Sequence, residues 1–174
     1  MKHTTLIIAG FLVLFTESPS YSIDKRLFDA IGIQELRQMA PELVLSDLNG
    51  RKVSLKEYRG KVVFLHFWAT WCKPCKEEMP TIEKMHKEFK NRDFVILAVS
   101  IDKVGTDMVW SYVKEFTFST LLASSGRIDD SYWSWGIPVS YIIDRNGWII
   151  GRAMGPKKWD SDALRNLIKE ILKD

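Results

Sequence analysis

The sequence predicts an α/β fold, a mixed central sheet flanked by helices, on three observations. Lys61–Phe67 (KVVFLHF) and Phe94–Ser100 (FVILAVS) are nearly continuous apolar runs of strand length, as expected of strands buried on both faces. Between them Met79, Ile82, His86 and Phe89 recur at helical spacing, with Lys76, Glu77, Glu83, Lys84, Lys87 and Glu88 as the wet face, so strand, helix and strand form a parallel βαβ unit. Val139–Ile143, the turn Asp144-Arg145-Asn146-Gly147 and Trp148–Arg152 read instead as an antiparallel hairpin, which makes the sheet mixed.

Length and composition set the frame for the other elements. With 174 residues, 46% hydrophobic and 27% charged, the chain suits one globular domain with a proper core. Its net charge of +3 carries no dense basic run, so nucleic acid is not an expected partner. Leu6–Phe15 (LIIAGFLVLF) follows Lys2 and His3 and precedes the polar Thr16–Ser22. That run is about half the roughly 20 residues a membrane span needs, so it reads as a cleaved signal peptide, with Ser20 and Ser22 placed for a cut after Ser22. Retention as a short N-terminal anchor is the alternative. No Cys follows the run to carry a lipid.

Ile23–Ala40 is mixed, with weak helical spacing at Leu27, Ile31 and Leu36, and is expected to pack on the domain as an extension. From Pro41 onward, Leu43–Ser46, a turn at Asn49-Gly50 and Lys52–Leu55 predict a hairpin that ends at Gly60. Pro80 lies inside the helix after the first buried strand and predicts a kink. Thr106–Phe116 is a further helix candidate, a short apolar piece surrounds Leu121 and Leu122, and a helical turn is expected through Asp129–Trp135. Leu164, Leu167, Ile168, Ile171 and Leu172 mark a closing amphipathic helix, with Asp160, Ser161 and Asp162 available to cap it.

Chemistry concentrates in Phe67-Trp68-Ala69-Thr70-Trp71-Cys72-Lys73-Pro74-Cys75, between a buried strand and the start of a helix. The chain has two cysteines, three positions apart. A bridge over so small a loop removes little entropy from the unfolded chain, so chemistry explains the pair better than stapling does. Unpaired amides and the positive dipole end of a helix N-terminus stabilise an anion. A fall in thiol pKa from about 8.5 to about 7 would raise the thiolate fraction at neutral pH from a few per cent to about half. Cys72 therefore reads as the nucleophile, and Cys75, one helical turn along, as the resolving thiol. Pro74 suits a first helical turn, and Lys73 adds a favourable charge. A zinc site would need further ligands where only His3, His66 and His86 are available, and haem attachment would need His at position 76, which is Lys. A static structural disulfide is the remaining alternative.

These features resemble the TlpA/ResA-type thioredoxin-like proteins, exported bacterial thiol–disulfide oxidoreductases, from about Pro41 to the C-terminus. The resemblance rests on Val53-Ser54-Leu55 and Arg59-Gly60-Lys61-Val62-Val63, on FWATWCKPCKEEMP, on Gly136-Ile137-Pro138 before Tyr141-Ile142-Ile143-Asp144-Arg145-Asn146-Gly147, and on Gly155-Pro156 with Trp159. It implies a thioredoxin-like fold over residues 41–174 with an N-terminal β-hairpin and a central insertion. It implies further that Ile137 and Pro138 form a cis-proline loop that docks substrate against the redox pair. Glu78 matches an acidic residue thought to assist proton transfer, the alternative being a solvated carboxylate like Glu77. His66 departs from the family, where Asp or Asn is usual, and reads as a satisfied core residue before it reads as a relay. Trp68 and Trp71 read as packing and a substrate rim, and Trp110, Trp133, Trp135, Trp148 and Trp159 as core or surface aromatics.

The expected activity is exchange of disulfides with protein thiols in the periplasm or an equivalent envelope space, by a monomer using no metal and no organic cofactor. Reduction is the preferred direction, because Pro74 beside Cys75 resembles reducing thioredoxins, whereas strongly oxidising relatives tend to carry His there. The family then implies a membrane thiol as electron donor and apocytochrome c as one substrate among several. A disulfide oxidase or isomerase, or a thioredoxin-like binding module with a static disulfide, are the alternatives. A peroxidase is disfavoured because the nucleophile lies in a Cys-x-x-Cys pair rather than in a lone-cysteine Pro-Thr-Cys setting.

Overall fold

The computed structural model describes residues 23–103, 105–123, 130–132 and 136–173. The leader expected before Ile23, together with Trp133 and Trp135, lies outside them. Among the described residues no helix is long and apolar enough to cross a membrane.

An eight-stranded sheet organises the chain. Its strands are β1 (Gln34–Met39), β2 (Val44–Asp47), β3 (Lys52–Ser54), β4 (Val62–Trp68), β5 (Phe94–Ser100), β6 (Ser119–Leu122), β7 (Val139–Ile143) and β8 (Trp148–Met154). They lie side by side in the order β1-β8-β7-β4-β5-β6-β2-β3. Parallel pairing joins β4 to β5 and β5 to β6, and the other neighbours are antiparallel. Among the described residues the α-helices are α1 (Lys25–Asp29), α2 (Lys73–Phe89), α3 (Thr106–Val113) and α4 (Asp162–Ile171). α3 and β6 lie between β5 and β7 in the chain.

Strand alternation separates two cores. Val62, Phe64 and Trp68 of β4 pack with Met79 and Ile82 of α2, and with Leu164, Leu167, Ile168 and Ile171 of α4. Val63, Leu65 and Phe67 face the other way, toward Leu43, Val53, Leu55 and Tyr132. His66 shares the parity of Phe64 and Trp68, which places it beneath α2. The four buried aliphatic residues of α4 contribute about 1.5–3 kcal/mol each by leaving water. Ser161 caps the helix by accepting the Leu164 amide at 3.3 Å.

Three expectations change. Leu36 does not continue a helix from Leu27 and Ile31: α1 ends at Asp29, and Gln34–Met39 is an edge strand on β8. This extension is tightly seated, since a methyl group on Gly151 would come within 2.9 Å of Ile33 Cγ2. α3 stops at Val113 rather than Phe116. Glu83 is buried instead of solvated, because its carboxylate accepts the Thr117 amide at 2.9 Å and the Thr117 hydroxyl at 2.8 Å. Pro80 does lie inside α2. It has no amide to offer the Lys76 carbonyl one turn back, and the Tyr112 hydroxyl bonds that oxygen at 3.1 Å instead.

Candidate active site

β4 and α2 place the two cysteines. The strand ends at Trp68, a short turn follows, and Cys72 becomes the N-cap of α2 with extended backbone, φ −85° and ψ 99°. Its Sγ accepts the Cys75 amide at 3.3 Å, as a capping side chain does. Cys72 and Cys75 are joined in a disulfide with Cα atoms 5.3 Å apart. Cys72 retains 5% exposure and Cys75 none. Across the site the Ile137–Pro138 peptide is cis, and the Ile137 carbonyl lies 3.9 Å from Cys72 Sγ.

The turn before Cys72 is tied down by a residue that sequence reading missed. Asp102, just past the end of β5, is buried; its carboxylate accepts the Thr70 amide at 3.0 Å, the Thr70 hydroxyl at 2.7 Å and the Ser100 hydroxyl at 2.7 Å. These charge-assisted bonds hold the loop that presents Cys72 against the end of the sheet. Trp68 is fully buried beneath, whereas Trp71 is two-thirds exposed beside Cys72.

Behind the disulfide, one turn after Cys75, Glu78 points into the protein and is 3% exposed. The solvated alternative therefore fails for Glu78, although it holds for Glu77. Glu78 Oε2 accepts the Lys157 amide and the Trp159 indole N–H, each at 2.9 Å. Burial outweighs these two donors and pushes the carboxyl up to about 7. Among the described residues Oε1 has no hydrogen-bond partner; it lies 3.4 Å from His66 Nε2, which has none among them either. His66 is fully buried, and loss of solvation lowers its pKa to about 3. The contact is thus between a carboxyl group and a neutral imidazole and is not an ion pair. On its other side His66 Nδ1 lies 2.9 Å from Ser140 Oγ, its register partner on β7. The expectation of a satisfied core histidine holds for one ring nitrogen only.

A family model described as the AhpC/TSA family matches residues 36–152. The chain belongs to that family. The thiol-disulfide oxidoreductase ResA of Bacillus cereus is 31% identical over 173 residues, covering 98% of each chain. Thioredoxin-like protein YneN of Bacillus subtilis is 38% identical over 67% of this chain and 69% of its own. Among solved structures, the thioredoxin domain of a thiol-disulfide oxidoreductase from Bacteroides vulgatus matches with a TM-score of 0.67 at 28% identity, covering 78% of this chain and 96% of that one. A thiol:disulfide interchange protein from Chlorobium tepidum matches with a TM-score of 0.65 at 26% identity, over 80% and 99%.

This AhpC/TSA-family chain is a thiol–disulfide oxidoreductase of thioredoxin-like fold, resembling the TlpA/ResA type. Its geometry suits that chemistry. A sulfur at a helix start meets unpaired amides and the positive end of a dipole, and a second sulfur sits one turn deeper within bonding distance of the first. The structure brings Cys72, Cys75, Glu78, Ile137 and Pro138 to one end of the sheet. It joins to them His66, which the sequence offered as a core residue before a relay, and adds Ser140, Asp102 and Trp159. Of the three added residues Trp159 had a signal, because it stands in the Gly155-Pro156…Trp159 ending, but nothing local marked its indole as a partner of Glu78.

Proposed function

We propose that this oxidoreductase works outside the cytoplasm as a reductant of protein disulfides. Cys72 is the nucleophile, Cys75 the resolving thiol, Glu78 the acceptor of the Cys75 proton, and the Ile137–Pro138 segment the backbone on which substrate docks. The observation that carries the reading is the unequal setting of the two sulfurs. Cys72 caps α2 and keeps a small exposed surface of 5%, and Cys75 beneath it has none. In the forward half-reaction the Cys72 thiolate attacks a substrate disulfide and expels one substrate thiolate. Cys75 then gives up its proton, attacks Cys72 sulfur and expels the second, so that two electrons pass from the pair to the substrate. Reduction of the paired cysteines of an apocytochrome before haem attachment is one reaction this order serves. A membrane-embedded thiol pair is the matching electron source.

Direction is tested by the equilibrium of the pair with glutathione. A potential near that of reducing thioredoxins, about −270 mV, is expected; a value near the about −120 mV of strong oxidants would make the chain an oxidase. Export rests on the apolar Leu6–Phe15 run and the serines after it. N-terminal sequencing of protein from the envelope fraction is expected to start near Ile23, and a chain that keeps Met1 and sediments with membranes would replace cleavage by anchoring.

A further inference from the structure

From the contacts around Glu78 we infer that His66, held by Ser140, is a positioning residue that donates its Nε2 proton to Glu78 Oε1 and so sets Glu78 up as the base for Cys75. This rests on the reading of Glu78 given above. Ser140 is 2% exposed, and its hydroxyl has one partner among the described residues, His66 Nδ1 at 2.9 Å. A buried hydroxyl that kept its proton unpaired would lose a hydrogen bond's worth of solvation, so Ser140 donates and Nδ1 accepts. A neutral imidazole that accepts at Nδ1 carries its proton on Nε2. That proton faces Glu78 Oε1, the carboxylate oxygen left open after Lys157 and Trp159 have taken Oε2.

Lys157, Trp159 and His66 then all present donors to the Glu78 carboxyl, an arrangement complementary to the ionised form. The gap of 3.4 Å is longer than a hydrogen bond in this disulfide form. It shortens when the carboxylate carries its charge, ahead of resolution. Once Cys75 has passed its proton to Glu78, a proton on Oε1 would confront the Nε2 proton. The carboxyl therefore holds it loosely and passes it on to the departing thiolate or to water. Among the described residues, the titratable and charged groups at Glu78 are His66 from β4 and Lys157 from the segment after β8, and Cys75 stands one turn before it on α2; the β7 group behind His66 is the neutral Ser140.

Stopped-flow reaction of the reduced protein with a chromogenic aromatic disulfide separates the two steps. The first coloured thiolate leaves when Cys72 attacks and the second when Cys75 resolves. In the native protein the second step is expected to accelerate as pH rises through about 7, where Glu78 ionises. His66→Leu should move that midpoint upward by about one to two pH units, the worth of a lost hydrogen bond to a charged group. Ser140→Ala should move it in the same direction by less, since Nδ1 then competes for the ring proton and a fraction of the molecules turn a lone pair toward Oε1. His66→Gln, whose amide N–H reaches close to the Nε2 position, should restore the native midpoint. An unmoved midpoint in His66→Leu overturns the inference, and a downward shift overturns it by showing that Nε2 was an acceptor. If His66→Leu does not fold, the ¹⁵N shifts of the His66 ring in the native protein decide: a proton on Nε2 supports the assignment and a proton on Nδ1 sinks it. Glu78→Gln separates this from its foundation. If that variant keeps the titration near neutrality, the reading of Glu78 itself fails; if it loses the titration while His66→Leu leaves the midpoint in place, only the role of His66 fails.

Discussion

Reduced Cys75→Ala protein is expected to accumulate stable mixed disulfides through Cys72, and Cys72→Ala is expected to lose exchange completely. The asymmetry follows from where the two sulfurs stand on one helix. Cys72 Sγ sits at the N-cap, where the Cys75 amide already points at it and the dipole of the 17-residue α2 favours negative charge. It also keeps a small exposed surface, while Cys75 has none and packs in the same core as Met79 and Ile82. Only the outer sulfur can meet a protein substrate. Without Cys75 the first attack still proceeds, but no thiol lies one turn below to expel the partner, so the adduct persists. Mass spectrometry of the captured adducts would name the substrates, and alkylation of the reduced native protein near neutral pH should modify Cys72 first. Capture by Cys72→Ala but not by Cys75→Ala would invert the assignment.

How much of this could be read from the residues depends on how local each signal is. β4, α2 and β5 were legible because one long apolar run, one helical period and a second run each declare themselves within a few residues. β1 was not, because Gln34–Met39 buries almost no side chain; it is a strand by virtue of backbone pairing with β8, and edge pairing leaves no periodicity to find. The Cys72–Cys75 pairing at a helix start was legible for the same local reason, three positions and a helix signal. The polar cluster behind it draws His66, Glu78, Ser140 and Trp159 from four separate segments, with separations of 74 between His66 and Ser140 and 81 between Glu78 and Trp159. Strand parity could place His66 under α2, yet whether its ring nitrogens met partners depended on contacts that only the folded sheet creates. Asp102 is similar: an acidic residue after a strand carries no mark until the Thr70 amide is brought to it.

The stability difference between the native protein and Glu78→Gln is expected to change by about 3 kcal/mol between pH 4.5 and pH 7, with the variant gaining as pH rises. Glu78 ionises near its ordinary 4.5 when unfolded and near 7 when folded. A carboxyl raised in this way contributes stability that is fully present below 4.5 and is lost as pH rises through 7. His66 works in the opposite sense. Its ordinary 6.5 falls to about 3 on folding, so the stability of keeping it neutral is present above 6.5 and lost as pH falls toward 3. Between 4.5 and 6.5 the two effects offset each other: the unfolded chain holds one proton on the imidazole, and the folded chain holds one on the carboxyl. The native protein should therefore show little slope from this pair in that window. Glu78→Gln removes the folded-state site for that proton and leaves the His66 slope uncompensated, about 1.4 kcal/mol per pH unit. Urea denaturation of both proteins with the disulfide intact, at pH 4.5, 5.5, 6.5 and 8, measures the difference while other titrations cancel. A constant difference would mean that Glu78 titrates no higher in the folded protein than in the unfolded chain, and that it cannot serve as a base poised at neutral pH.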